Sequence, residues 1–172
     1  LVLFFYPKDN TSGCTLEAKS LRDGKEELAR MGFRIVGVSP DSEKSHRNFC
    51  AKHDLNFTLL ADTDHSVCEA YGVWAEKSMY GRKYMGIDRS TFLVGADGRI
   101  VRAWRKVSVP GHVEEVLAAA QALAGEFALQ AGKLDEAAKY YLEAARKSGD
   151  VGLAERAARI ALLANDDHTA NQ

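Results

Sequence analysis

Over the first 110 residues, apolar positions fall in short blocks separated by turn formers and polar helical stretches. Leu1 to Tyr6 is an unbroken apolar run, the pattern of a strand buried on both faces. A loop of turn formers follows. Residues 15–31 then read as a helix, with Leu16, Leu21 and Leu28 among its apolar positions and Gly32 just past its end. Phe33 to Val38 is the next strand, and Ser42 opens a polar helix that runs to about His53. Residues 56–60 predict a short strand and 64–71 a short helix. Residues 90–94 and 99–104 are two strands around Ala96-Asp97-Gly98, because Asp-Gly between apolar runs marks a hairpin. This βαβ alternation predicts an α/β fold, a mostly parallel sheet with helices on both faces, made mixed by the late hairpin.

The pattern changes after Pro110. His112 to Gln172 is Ala-rich and helical, with no strand signal. Val113, Val116, Leu117 and Ala120 form an amphipathic face that could close the α/β domain. Two further helical stretches are broken at Ala131-Gly132 and Ser148-Gly149-Asp150. Gly125, Ala137, Tyr141 and Ala144 stand at small and aromatic positions similar to those of a tetratricopeptide repeat. On that resemblance, 123–150 is one repeat and 151–165 the first helix of a next one, or a cap. An Ala-rich helical hairpin of no particular family fits nearly as well. One repeat cannot bury its own apolar face, so the tail is expected to dock on the α/β domain or on another chain. The resulting division is 1–121 and 122–172.

Composition narrows the class. Hydrophobic residues make up 46% and charged residues 27%, the balance of a globular protein rather than a disordered one. The net charge of −1 leaves no basic excess for nucleic acid or a membrane surface. No apolar run approaches the roughly 20 residues of a spanning helix. The chain opens on Leu inside a strand pattern, so its true N-terminus is expected to lie before Leu1. The opening run is too short for a signal peptide and has no basic segment before it. Three cysteines, Cys14, Cys50 and Cys68, are too few and odd for a disulfide-stapled scaffold. They suit a reducing compartment, and a cytoplasmic location is expected. No C-x-x-C pair, GxGxxG loop or P-loop is present, which argues against a thioredoxin-type reductase and implies no nucleotide cofactor.

Cys14 has the most chemical context. It falls at a strand-to-helix junction, where unsatisfied backbone N–H groups carry partial positive charge and favour thiolate over thiol. Pro7 and Gly13 shape a tight backbone, and the Thr11 hydroxyl can donate to a sulfur or oxygen on the same loop. A lone cysteine is more often a small, inert apolar residue, and it is the surrounding loop that changes the odds.

Pro7-Lys8-Asp9-Asn10-Thr11-Ser12-Gly13-Cys14 resembles the P-x-x-x-T-x-x-C signature of peroxiredoxins. The longer run F-F-Y-P-K-D-N-T-S-G-C-T-L-E-A is similar to the bacterioferritin comigratory protein branch, or peroxiredoxin Q. So are D-T-D-H-S-V-C-E-A-Y-G-V-W, G-I-D-R-S-T-F-L-V and D-G-R-I, over roughly residues 1 to 120. The resemblance implies a thioredoxin-like fold and a peroxidase whose Cys14 thiolate cleaves the O–O bond and becomes a sulfenic acid. It implies that Thr11 holds the peroxide oxygens and that Arg89 stabilises the thiolate and the leaving oxygen. Pro7 would shield the pocket, and Glu17 would orient the arginine. Without the resemblance, Arg89 reads as a surface arginine beside Asp88, and Glu17 as a helix N-terminal acid.

Many members of this branch carry a second cysteine five residues after the first, where this chain has Lys19. Another subgroup places the resolving cysteine in a later helix, and Cys50 fits it, with a separation of 50 − 14 = 36. The resemblance thus implies a Cys14–Cys50 disulfide, reduced by thioredoxin or glutaredoxin. A disulfide needs Cα atoms about 4.4–6.8 Å apart, so both helix ends are expected to unwind. Cys68 is the weaker candidate, with a core thiol as its ordinary reading.

Two other classes compete. His46, Cys50 and His53 share a helical face, and His65 and Cys68 offer a second pair, acceptable zinc ligands by type but poor ones by spacing. The tail could instead make the chain a tetratricopeptide-type interaction protein whose redox domain has little peroxidase activity.

Overall fold

The computed structural model describes residues 1–170, with side chains described through residue 165. It separates into two compact units, Leu1–Val113 and Glu114–Gln172. The 121/122 division drawn from composition falls within helix α4 (His112–Gln130).

In the first unit the order is β1 (Val2–Phe5), α1 (Ser12–Arg30), β2 (Ile35–Ser39), α2 (Glu43–His53), β3 (Thr58–Ala61), α3 (Ser66–Ala70), β4 (Trp74–Met79), β5 (Arg82–Ile87), β6 (Ser90–Val94) and β7 (Ile100–Arg105). Five strands form one sheet in the order β3-β2-β1-β6-β7. β1 pairs in parallel with β2, and β2 with β3, while β6 is antiparallel to both β1 and β7. The sheet is therefore mixed, as the alternation predicts.

β1 is the central strand, and all four of its residues are buried. Successive side chains point to opposite faces, so a strand covered on both sides must be apolar throughout. Leu3 and Phe5 join Val38, Cys68, Val73, Ile87 and Phe92 in a core cluster. Phe4 stacks instead with Tyr6 and meets Phe57 edge-on. Gly37 is paired with Phe4 in β1 and Leu59 in β3. A Cβ there would lie 2.6 Å from Leu59 and 2.7 Å from the Phe4 ring, so the position has no room for a larger residue.

The helix after β1 starts at Ser12, three residues earlier than the apolar pattern indicates, with Thr11 as its N-cap residue by extended backbone and without a side-chain cap bond. The buried positions Cys14, Glu17, Ala18, Leu21 and Leu28 make one stripe at helical spacing. The β4–β5 hairpin was not apparent in the apolar pattern. Its strands, Trp-Ala-Glu-Lys-Ser-Met and Arg-Lys-Tyr-Met-Gly-Ile, mix apolar and charged residues, are mostly exposed and form a separate two-stranded sheet. The signal was in the turn: Tyr80 and Gly81 both have positive φ, 50° and 77°, as a tight two-residue hairpin requires.

The second unit is helical. α5 (Leu134–Ser148) and α6 (Val151–Ala170) pack on each other, and Ala128, Ala137, Tyr141, Ala157 and Ile160 form their cluster. A Cβ on Gly125 would lie 3.1 Å from the Tyr141 ring, which is why a glycine suits that place in α4. The Tyr141 hydroxyl donates to Glu126 at 2.7 Å, and Arg156 reaches the same carboxylate. Burial, together with Glu126, raises the Tyr141 hydroxyl to about 12.

Candidate active site

Cys14 is the third residue of α1, only 2% exposed, within the turn whose N–H groups lack helical partners. Arg89 arrives from the two-residue connection between β5 and β6. One of its terminal nitrogens donates to Cys14 Sγ at 3.2 Å, and the other donates to Glu17 Oε2. Asp88 pairs with Lys77 at 3.2 Å instead, so Arg89 is not a surface partner of its neighbour. A Cβ on Gly13 would stand 3.3 Å from the Arg89 guanidinium, so the glycine of the loop leaves space for it.

Glu17 is fully buried, and its Oε1 has no hydrogen-bond partner among the described residues. Burial pushes this carboxyl up to about 7, against the opposing charge and hydrogen bond of Arg89. Arg89 itself is held above its ordinary value: burial lowers it, and the Glu17 and Cys14 charges more than compensate. The arginine is thus fixed as a fork, with one branch on a carboxyl group and one on a sulfur.

Thr11 is exposed, and its hydroxyl donates to the Lys8 carbonyl at 2.9 Å, an oxygen of the same loop. Pro7 is on the exposed rim of that loop. Cys14, Arg89 and Glu17 therefore converge, with Thr11 and Pro7 on the loop leading into them.

The other two sulfurs differ. All three cysteines are free thiols. Cys68 is fully buried in the core cluster, and its backbone N–H donates to Asp62 at 2.8 Å. Burial, and then Asp62, drives its thiol far up. Cys50 is half-buried on α2, beside an open cleft lined also by Glu43, His46 and Leu60. Burial, and then the Asp9 charge, raises its thiol.

His46, Cys50 and His53 do not converge as metal ligands. His46 turns to Asp9 and the Leu60 carbonyl, and His53 meets the Phe49 ring edge-on. His65 stacks on Trp74. No group of three or more His, Cys, Asp or Glu side chains suited to a metal is found among the described residues. No helix among them is long and apolar enough to cross a membrane.

One buried polar cluster has no mark in the sequence pattern. Asp9 is 5% exposed and His46 4% exposed. Asp9 accepts from Tyr6 Oη at 2.7 Å, Ser45 Oγ at 2.7 Å and His46 Nδ1 at 2.9 Å. His46 lies 37 residues from Asp9, so no local pattern could announce the pair.

A buried thiol in the first turn of a helix, held by an arginine from just before the neighbouring strand β6, defines a cysteine-based redox site on an α/β scaffold. Comparison with known proteins specifies it. The AhpC/TSA family matches residues 1–103. Peroxiredoxin Bcp of Bacillus subtilis is 51% identical over 117 residues, 68% of this chain and 74% of that protein. Peroxiredoxin Bcp of Escherichia coli is 44% identical over the same length. A solved structure of Xanthomonas campestris peroxiredoxin Q superposes with a TM-score of 0.69 at 50% identity, covering 72% of this chain and 78% of that one. Another structure of that organism's bacterioferritin comigratory protein, a trapped intermediate/ligand complex, concerns its alkyl peroxide reduction activity. The chain belongs to the AhpC/TSA family, in its Bcp/peroxiredoxin Q group. It is a cysteine-dependent peroxidase with a thioredoxin-like fold and C-terminal helices, a class that takes a peroxide as substrate and a thioredoxin-type reductant.

Proposed function

We propose that Cys14 is the peroxidatic cysteine and that Cys50 resolves it. The observation that carries the first assignment is the Arg89 contact to Cys14 Sγ at 3.2 Å, with Glu17 holding the other branch of the fork. The Cys14 thiolate attacks the terminal oxygen of a hydroperoxide. An S–O bond forms, the O–O bond breaks, and the leaving oxygen takes a proton to become water or an alcohol. Arg89 donors aimed at the sulfur also lie where negative charge develops on the leaving oxygen. Thr11 and Pro7 border the approach from the loop. Hydrogen peroxide and organic hydroperoxides are both substrates on this reading, in keeping with the alkyl peroxide activity named for the Xanthomonas relative.

The Cys50 thiolate then attacks Cys14 sulfenic acid, forming the S–S bond and releasing the hydroxyl as water. Cys50 is half-buried and free, whereas Cys68 is enclosed in the core. Separate solved structures of the Xanthomonas relative carry serine at its cysteines 48 and 84, likewise 36 positions apart. Thioredoxin or glutaredoxin returns both sulfurs to thiols. A bacterial cytoplasm suits three free thiols and the bacterial relatives.

Peroxide consumption with thioredoxin tests the scheme on the full chain. Cys14→Ser is expected to abolish turnover. Cys50→Ser is expected to consume one equivalent of peroxide and stop at sulfenic acid. Continued turnover of Cys50→Ser would remove Cys50 from the cycle.

The helical tail supports a second role in protein docking. Leu142, Val151, Leu162 and Leu163 are exposed on α5 and α6, and Gly125 against Tyr141 is a repeat-like contact. Loss of peroxidase activity in Cys14→Ser with partner binding intact would separate the two roles.

A further inference from the structure

The Asp9–His46 pair joins the two redox elements directly. Asp9 stands in the loop that leads to Cys14, five residues before it, and His46 is one turn before Cys50 on α2. Both ring nitrogens of His46 face acceptors: Nδ1 is 2.9 Å from Asp9 Oδ2, and Nε2 is 3.1 Å from the Leu60 carbonyl. Each nitrogen must then carry a proton, so the ring is an imidazolium and the contact is a buried ion pair. Ser45 Oγ adds a bond from α2 to the same carboxylate at 2.7 Å.

Little else attaches α2. His46 and Phe49 are its buried side chains. Arg22 of α1 donates to the His53 carbonyl at 2.7 Å, a backbone acceptor that water can serve equally when the helix leaves.

We propose that Asp9 and His46 are positioning residues that hold α2 docked while Cys14 reacts with peroxide, and that their separation sets the rate at which Cys50 reaches Cys14. The proposal rests on Cys50 as the resolving cysteine. A held helix keeps the pocket around Cys14 intact for the first step, and a released helix lets the second proceed. The carboxylate has a further effect. Burial, and then the Asp9 charge, raises the Cys50 thiol while α2 is docked, so leaving that place both frees the attacking sulfur and eases its ionisation. His46 is faced by Tyr6 just after β1, by Asp9 from the loop, by Asp41 from the segment after β2 and by the Leu60 carbonyl from β3, with Cys50 on its own helix. The negative charges in that set, Asp9 and Asp41, both favour the cation.

The test uses the full chain as wild type, His46→Gln and Asp9→Asn, mixed with one equivalent of hydrogen peroxide. Rapid quenching with a thiol trap and intact mass analysis count sulfenic acid, disulfide and sulfinic acid over time. Hydrogen exchange of the α1, α2 and β1 amides is measured on the same proteins. Sulfenic acid formation is expected to stay within about twofold in both variants, while the disulfide forms about tenfold or more faster, since breaking a buried pair weakens docking strongly. Less sulfinic acid at high peroxide and lower protection confined to α2 are expected with it. An unchanged or slower disulfide step in either variant, with α1 and β1 protection retained, overturns the proposal. So does loss of protection throughout the unit, which would make the pair a general structural support. If wild type itself forms no Cys14–Cys50 disulfide, the assignment of Cys50 fails on its own. The exchange data then still decide whether the pair holds α2.

Discussion

Helices α1 and α2 follow successive parallel strands, and each carries one of the two sulfurs assigned to the cycle, but they are held by different physics. α1 has 19 residues and buries Ala18, Leu21 and Leu28 in a continuous stripe. α2 has 11 residues and buries one aromatic ring and one histidine. Apolar burial is spread over many contacts and cannot be switched by a proton or a small displacement. An ion pair with one ring beside it can be broken as a unit. On the proposed roles, the helix carrying Cys14 is thus held by spread apolar burial, and the helix carrying Cys50 by a pair that can release as a unit.

Several measurements would break or sharpen this contrast. The largest effect is expected from Phe49→Ala, which leaves α2 with only its polar attachments. A fully buried Phe truncated to Ala costs about 3–5 kcal/mol. Hydrogen exchange should place that loss in α2; equal loss in α1 would mean the two helices are not independently held. Next is Arg89→Ala. Removing a donor aimed at developing charge costs about 10²–10³ in rate. Stopped-flow kinetics should show that drop in the peroxide step, with the disulfide step little changed.

The pH dependence of stability comes third. Burial pushes Asp9 up, but hydrogen bonds from His46, Ser45 and Tyr6 outweigh it and leave the carboxyl below its ordinary 3.8. Burial pushes His46 down, and Asp9 outweighs that, leaving the ring above its ordinary 6.5. The pair therefore contributes fully between those two ordinary values. The contribution is lost below them as pH falls through the depressed Asp9 value, and above them as pH rises through the elevated His46 value. Melting temperatures of wild type and the Asp9→Asn/His46→Gln double variant, compared across pH, should differ most inside that window. A constant difference at all pH values would refute the ion pair.

The smallest change is expected from Glu17→Gln. With the carboxyl raised to about 7 by burial, its neutral form is already well populated near neutrality. Its share of stability is present below the ordinary 4.5 and lost as pH rises through about 7. The variant should react with peroxide within about threefold of wild type at pH 7, because an amide oxygen still accepts from Arg89. It should lack the inflection near pH 7 in the rate profile.

Much of this was legible in the chain itself. The apolar run at β1 announced a strand covered on both faces, and turn formers before a helical period placed Cys14 at a helix start. Those signals are local, carried by residues within a few positions of one another. The β4–β5 hairpin escaped because its strands are mostly exposed and interrupt their apolar residues with adjacent charges, Glu76-Lys77 and Arg82-Lys83, so no clean alternation marks them. The role of Thr11 as N-cap residue also moved the helix start, since the cap is decided by backbone angles rather than by hydrophobicity.

By itself the sequence determined the α/β alternation, the reactive loop and, through resemblance in four separated segments, the peroxiredoxin class. Only the tertiary structure decided which charges meet. Arg89 reaches Cys14 across 75 positions, and His46 reaches Asp9 across 37. Such pairings depend on which strands lie side by side, and strand order is a property of the whole sheet. The same folding that puts Arg89 on a sulfur puts His46 on a carboxylate, and neither residue's neighbours in sequence distinguish the two outcomes.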